Sequence, residues 1–221
     1  MAPQAPEGPE GPDGSYGFDP VDAAAHVAAA DSALARVVEA VGPVAFRERT
    51  ADNFNAVARS IVFQQLAGRA AAAIYGRFAA LFDGTAPTPE GLLELPEAAL
   101  RGAGLSAAKT VALRDLAAKA VEGTVPFAEL DGLGDEEIIV RLSSVRGVGR
   151  WTAEMFLIFQ LRRPDVWPVD DLGVRKGYAI AKRLPIAPTP RELGPLGDPF
   201  RPYRSAAAWY CWRANDTVLP D

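Results

Sequence analysis

Apolar residues recur along this chain at helical spacing, and no segment of any length alternates apolar and polar positions as a half-buried strand would. Asp19-Pro20 opens an Ala-rich helical pattern that runs from Val21 to Val41, with Pro near the first helical position. Further helices are predicted over Asp52 to Phe63 and Gly68 to Phe82, the latter stopped by Asp83-Gly84. Short ones begin at Thr88-Pro89-Glu90 and Leu95-Pro96-Glu97, and Ser106 caps one from Ala107 to Val121. Gly134-Asp135 starts another that reaches Ser143 or Ser144. Its apolar residues Ile138, Ile139, Leu142 and Val145 fall on one face. Arg150 to Leu161 is apolar nearly all round, which predicts a central position in the core. Asp171 to Arg183, a short turn of helix at Thr189-Pro190-Arg191-Glu192, and Tyr203 to Asn215 complete the pattern. The chain reads as all-α, with about ten short helices, short connections and no internal repeat.

Composition narrows the chemistry. At 221 residues and 49% apolar content the chain has enough material for a substantial core, and no apolar run approaches a membrane span. A secretory signal is not expected, and residues 1–17, rich in Pro, Gly and acid, are expected to be a disordered tail ahead of one folded domain over residues 18–221. The single cysteine, Cys211, excludes an internal disulfide and a four-cysteine zinc or iron–sulfur site. The single histidine, His26, makes a Ser-His-Asp triad improbable.

The net charge of −5 is unfavourable for a nucleic-acid partner until its distribution is considered. Six acids and no Lys or Arg lie in residues 1–31, so the remainder carries +1. From Arg141 to Arg183 nine basic residues face four acidic ones. That modest patch contains the segment with the most chemistry, Leu142 to Gly177: LSSVRGVGRWTAEMFLIFQLRRPDVWPVDDLGVRKG.

Gly147-Val148-Gly149, set between two helical patterns and flanked by Arg146 and Arg150, permits a turn whose N–H groups no side chain covers. With the dipole of the following helix it forms a candidate phosphate site, although such a turn also serves simply to reverse a chain. Asp170 and Asp171 stand at the head of another helix. Capping accounts for them, and it is compatible with an electrostatic role, because a helix N-terminus stabilises a carboxylate as the anion. Trp151, Trp167, Trp209, Tyr210 and Trp212 are either core residues or walls on which a nucleobase stacks; a cationic base would gain a cation–π term. Gln64-Gln65, at a break between helices in SIVFQQLAGRAAAAIYGRF, either cap the backbone or probe a stacked duplex.

These residues resemble a known family. LSSVRGVGRWTAEMFLIF followed by WPVDDLGVRKG is similar to the helix-hairpin-helix and Gly/Pro-Asp loop of the base-excision DNA glycosylase superfamily. SIVFQQL, LRGAGLSAAKTVALRDLA and YRSAAAWYCWR resemble its DNA-3-methyladenine glycosylase II branch, so the likeness covers most of residues 50–215 in family order. It implies two helical subdomains with the active site in the cleft between them, a hairpin over residues 134–161 and a catalytic loop over 166–177. The resemblance also implies a flipped nucleotide and cleavage of its N-glycosidic bond. By the register Asp-x-x-Val, Asp171 is the catalytic carboxylate and Asp170 its structural neighbour. Bifunctional relatives carry a nucleophilic lysine where this chain has Trp151, which implies a monofunctional enzyme. Trp151, Met155 and Trp212 match the base pocket, with Trp209 in support; Met155 replaces a tyrosine of one type.

The family's wedge, which fills the hole left by the flipped base, falls on Gln65, beside Gln64. Hairpin residues 146–150 would hold the phosphate. The carbonyls of Ser143, Val145 and Val148 match a site for a structural K+ or Na+; no other cofactor is expected. No room is expected for the N-terminal β domain of some members. The implied substrate is duplex DNA containing alkylated purines, 3-methyladenine and 7-methylguanine. The protein is expected to be a cytoplasmic, nucleoid-associated, bacterial monomer with no membrane contact. Three alternatives remain open: a glycosylase for another lesion, a hairpin DNA-binding module without chemistry, and a helical protein-interaction domain.

Overall fold

The computed structural model describes residues 17–46, 48–50 and 52–217. The tail expectation for residues 1–17 therefore lies outside the described residues, apart from Gly17. Among the described residues there are twelve α-helices, three single-turn 3-10 segments and no strand. None of these helices is long and apolar enough to cross a membrane. The described residues divide into two compact units, one within the spans 1–48 and 157–221 and one within 49–156.

The first unit holds α1 (Pro20–Ala30), α2 (Ser32–Val41), α10 (Leu172–Ala181), α11 (Pro190–Leu196) and α12 (Arg204–Ala214). The pattern from Val21 to Val41 predicts one helix; the structure has two. Asp31 is the reason. It leaves α1 in extended conformation, and its carboxylate accepts from the N–H groups of Ala33 and Leu34, capping α2. Its other oxygen accepts from Lys182 Nζ at 2.7 Å, which ties the break to the end of α10. One core unites the unit: Leu34 and Val37 of α2, Val174 and Tyr178 of α10, and Ala206 to Cys211 of α12 are all buried together. Tyr210 is fully buried, and its hydroxyl donates to the Gly42 carbonyl at 3.0 Å.

α10 and α12 approach unusually closely. A Cβ on Gly177 would lie 1.6 Å from the Cys211 carbonyl oxygen, and one on Gly173 would lie 2.8 Å from Trp212 Cδ1. The two glycines are four residues apart, so they share one face of α10. Their missing side chains let the backbone of α12 settle directly onto that face. Thr189 and Glu192 form a reciprocal capping box that starts α11.

The second unit holds α3 (Asn53–Phe63), α4 (Gly68–Ala79), α5 (Pro89–Glu94), α6 (Glu97–Gly102), α7 (Ala107–Val121), α8 (Asp135–Ser143) and most of α9 (Arg150–Phe159). Phe54, Val57 and Ile61 of α3, Leu113 and Leu116 of α7, and Ile138 and Leu142 of α8 are buried. The predicted apolar face of α8 is borne out, since Ile139 and Val145 are buried with them. Several predicted ends are too long. α4 stops at Ala79 and tightens into a 3-10 turn, α9 stops at Phe159, and α10 stops at Ala181 ahead of Arg183 at φ +54°. Such last turns tighten or unwind because their carbonyls have no intrahelical donors.

Candidate active site

In the first unit the candidate catalytic group is Asp171. It is 8% exposed and caps α10, its Oδ1 accepting from the Val174 N–H at 2.7 Å. The same oxygen accepts from Trp212 Nε1 at 2.9 Å. Two charge-assisted bonds on one oxygen fix the orientation of the carboxylate. The contact with Trp212 follows from the close approach of α10 and α12, because only glycine at position 173 leaves room for the indole. Trp212 is held in turn by its stack on Phe159, with ring centroids 5.3 Å apart and planes inclined at 27°. Asp170, one residue earlier, is exposed. Trp212 is therefore both a pocket candidate and a partner of the carboxylate.

The other aromatics separate by environment. Trp167 and Trp209 are buried in the first unit's core, and Trp167 Nε1 donates to the Leu193 carbonyl at 3.0 Å. Arg213 lies over the ring of Trp209 at 5.6 Å. Trp151 is 46% exposed near the start of α9, a large apolar area on a helix whose residues 152–154 and 156–158 are buried. Met155, half-buried, follows one turn later on the same face of that helix.

In the second unit, α8 and α9 form the hairpin. Val145 and Val148 are buried as its plug, and Gly147 takes φ +75°, which a side chain would oppose. Two of the turn's N–H groups are used internally. Arg146 N donates to Asp115 Oδ2 at 2.7 Å, and Val148 N donates to the Val145 carbonyl at 3.1 Å. Among the described residues no backbone carbonyl accepts from the N–H of Gly147, Gly149 or Arg150. These three stand at the positive end of α9, as candidate donors for an anion. The guanidinium of Arg150 pairs with Glu136 and Glu154 instead. Its hydrogen bond holds the Glu136 carboxyl below its ordinary value, against the opposing effect of burial. At Arg150 the backbone N–H, rather than the paired guanidinium, is the candidate donor.

The paired glutamines divide. Gln64 caps the end of α3 and its Nε2 donates to the Gly147 carbonyl at 2.9 Å, so its amide is committed to the hairpin. Gln65 is exposed and holds φ +57°, a left-handed conformation that places it at the tip of the turn. Lys109 and Asp115, both on α7, touch these two turns; they lie within the segment LRGAGLSAAKTVALRDLA, but the sequence reading assigns neither a role. Among the described residues no cluster of three His, Cys, Asp or Glu could hold a metal ion.

Two helices joined by a glycine turn, followed by a capped carboxylate loop, define a helix-hairpin-helix protein with a Gly/Pro-Asp element. Residues 58–194 match the family model described as HhH-GPD superfamily base excision DNA repair protein. The chain is 37% identical over 195 residues to DNA-3-methyladenine glycosylase 1 of Schizosaccharomyces pombe, covering 86% of this chain and 85% of that protein. The structure of the S. pombe 3-methyladenine DNA glycosylase Mag1 in complex with abasic DNA superposes with a TM-score of 0.79 at 36% identity, over 89% of this chain and 98% of that one. The DNA-3-methyladenine glycosidase of Bacillus halodurans does so with 0.81 at 34% identity, over 88% and 89%. The chain belongs to the HhH-GPD superfamily of base excision DNA repair proteins.

Proposed function

We propose that this protein is a monofunctional DNA glycosylase that flips alkylated purines, 3-methyladenine and 7-methylguanine, out of duplex DNA and hydrolyses their N-glycosidic bond. The observation that carries this reading is Asp171, a nearly buried carboxylate held by the Val174 N–H and the Trp212 indole N–H in a chain of this family. As the bond from C1′ to the base nitrogen breaks, its electron pair leaves with the base and the sugar becomes oxocarbenium-like. A fixed anion stabilises that charge. Water then adds its oxygen to C1′ and gives up a proton, which leaves an abasic site. An alkylated purine already carries a positive charge, so it departs without an acid to protonate it.

Trp151 and Met155 are assigned to the flipped base, with Trp212 beside the carboxylate and Trp209 supporting it. Gln65 is assigned to the gap in the duplex. The N–H groups of Gly147, Gly149 and Arg150 hold a phosphate. Trp151 has no amine, so no Schiff base forms at its position and the strand stays intact. A K+ or Na+ ion fits the hairpin carbonyls of Ser143, Val145 and Val148. The Val145 oxygen accepts one hydrogen bond and keeps a second lone pair, and neutral hard oxygens suit such an ion. The ion would stiffen the turn and takes no part in the chemistry. The protein is assigned as a monomer, acting on chromosomal DNA at the nucleoid in a bacterial cytoplasm.

The test is release of free methylated base from alkylated duplex DNA, followed by borohydride treatment. Asp171→Asn is expected to slow release by a factor of ~100 or more while retaining affinity for abasic DNA. Unchanged release in that variant refutes the mechanism. A covalent protein–DNA adduct after borohydride refutes the monofunctional assignment, and phosphate binding with no base release from any lesion leaves a DNA-binding module.

A further inference from the structure

The wedge turn is held by residues to which the sequence reading assigns no role of this kind. Gln65 adopts φ +57° without being glycine, a conformation that costs about 1 kcal/mol and persists only where neighbours enforce it. The enforcing group is the ammonium of Lys109. It donates to the carbonyls of Val62 at 2.6 Å and Gln64 at 2.7 Å, so it closes the C-terminal end of α3 on either side of the break. A cation suits that end of α3. It is poorly placed for its own helix, because Lys109 lies in the first turn of α7, where the dipole favours an acid. Burial also draws the ammonium below the ordinary lysine value. Neither feature serves the folding of α7.

Further along α7, Asp115 Oδ2 accepts from the Arg146 N–H of the hairpin at 2.7 Å. Gln64 Nε2 then spans from the wedge turn to the hairpin carbonyl of Gly147 at 2.9 Å. The links form a closed circuit: α3 to α7 through Lys109, α7 to the hairpin through Asp115, and the hairpin back to the wedge turn through Gln64.

We propose that Lys109 is a positioning residue for base flipping: through it, α7 acts as a strut that fixes the Gln65 turn in register with the phosphate-binding hairpin. The inference rests on reading Gln65 as the wedge. An enzyme anchored on one phosphate must insert its wedge at a set distance from that anchor. A wedge turn free to rotate would fill the stack less often, and the flipped nucleotide would return. Bond cleavage itself does not involve Lys109.

The experiment measures single-turnover release of 7-methylguanine from two substrates, one with the lesion paired to cytosine in a duplex and one with the same lesion in an unpaired bubble. Flipping costs little in the bubble. Lys109→Met is expected to slow release from the paired duplex about tenfold, the loss typical of a charge-assisted bond, and to leave the bubble substrate nearly unaffected. Lys109→Arg should restore the paired rate, and adding Lys109→Met to Gln65→Ala should cause little further loss. Equal loss on both substrates, with or without early melting, overturns the proposal and makes Lys109 a purely structural residue; no loss on either also overturns it. Should Lys109→Met fail to fold, Lys109→Gln, which keeps a donor for one carbonyl, is read against the same criterion. If Gln65→Ala is paired-selective and Lys109→Met is not, only the strut falls. If Gln65→Ala affects both substrates alike, the wedge reading falls and takes the strut with it.

Discussion

Trp212→Phe separates two roles that the structure gives one side chain. Phenylalanine keeps a ring to stack on Phe159, now 5.3 Å away at 27°, but it removes the Nε1–H that donates to Asp171 Oδ1 at 2.9 Å. The Val174 N–H, at 2.7 Å, still holds the same oxygen, so the carboxylate stays in place but is less constrained. Hydrogen bonds to ionised groups are worth about 1.5–3 kcal/mol, and each 1.4 kcal/mol is about a factor of ten in rate. A fully expressed loss therefore slows base release about ten- to a hundredfold. The effect should fall on kcat, with KM and affinity for abasic DNA little changed, because the indole N–H acts on the carboxylate rather than on bound DNA. Single-turnover release from methylated duplex DNA, run beside a binding titration, measures both. In a cycle with Asp171→Asn the losses should be strongly non-additive, since the indole has no anion to orient once Asp171 is neutral. A Trp212→Phe enzyme with an unchanged release rate refutes the reasoning. So does one whose loss lies wholly in KM, which would make Trp212 a base-pocket wall and nothing more.

Two further outcomes test the supporting structure. Gly177→Ala places a methyl where the Cys211 carbonyl oxygen lies 1.6 Å away, so α10 and α12 must separate. The expected cost is about 3 kcal/mol or more, seen as a fall of roughly 10 °C in melting temperature with matching loss of base release. An unchanged melting temperature would contradict that packing. Asp115 provides the pH dependence. Burial raises its pKa and is the largest single influence, but the Lys119 hydrogen bond, the Arg146 N–H and the two cationic charges together hold it below the usual carboxylate value. A depressed folded-state value means that the contribution of this carboxylate is complete above its unfolded value, about 3.9, and disappears as pH falls through the folded one. The stability difference between wild type and Asp115→Asn should be constant from about pH 7 to about pH 5 and close below about pH 4. A difference that grows on acidification refutes the assignment.

The all-α class and most helix positions could be read from the chain because periodicity, caps and stops are local signals. The face formed by Ile138, Ile139, Leu142 and Val145 is buried as its spacing required. The break at Asp31 was less visible, because a capping aspartate in an Ala-rich run differs little from a solvated one. What decides it is a contact with Lys182, 151 residues away. The candidate carboxylate was legible by register. Its second donor was not, since Trp212 reaches Asp171 only through the packing of α10 on α12. A signal did exist: two glycines four residues apart within a helix each cost about 1 kcal/mol relative to alanine where nothing crowds them, and such a cost points to close backbone approach. Lys109 gave a fainter sign. A lysine in the first turn of a helix opposes the dipole, but its purpose is hidden until the carbonyls it reaches are known.

A shared logic connects the two units, each taken by itself. In the first, a group proposed for chemistry, Asp171, is held by its own helix through Val174 and by a second helix through Trp212. In the second, a group proposed to enter the duplex, Gln65, belongs to a turn held by its own helix through the Ser60 carbonyl and by a second helix through Lys109. The local half of each arrangement is capping, which any soluble helix can use. The long-range half comes from a residue whose own position is costly or conspicuous: glycines within α10, and a half-buried cation at the start of α7. Local helix preference alone would put alanine at those glycines and an acid in the first turn of α7. Retaining both features is what positioning a carboxylate and a wedge requires, so departures from local preference mark the site more sharply than the capping residues do.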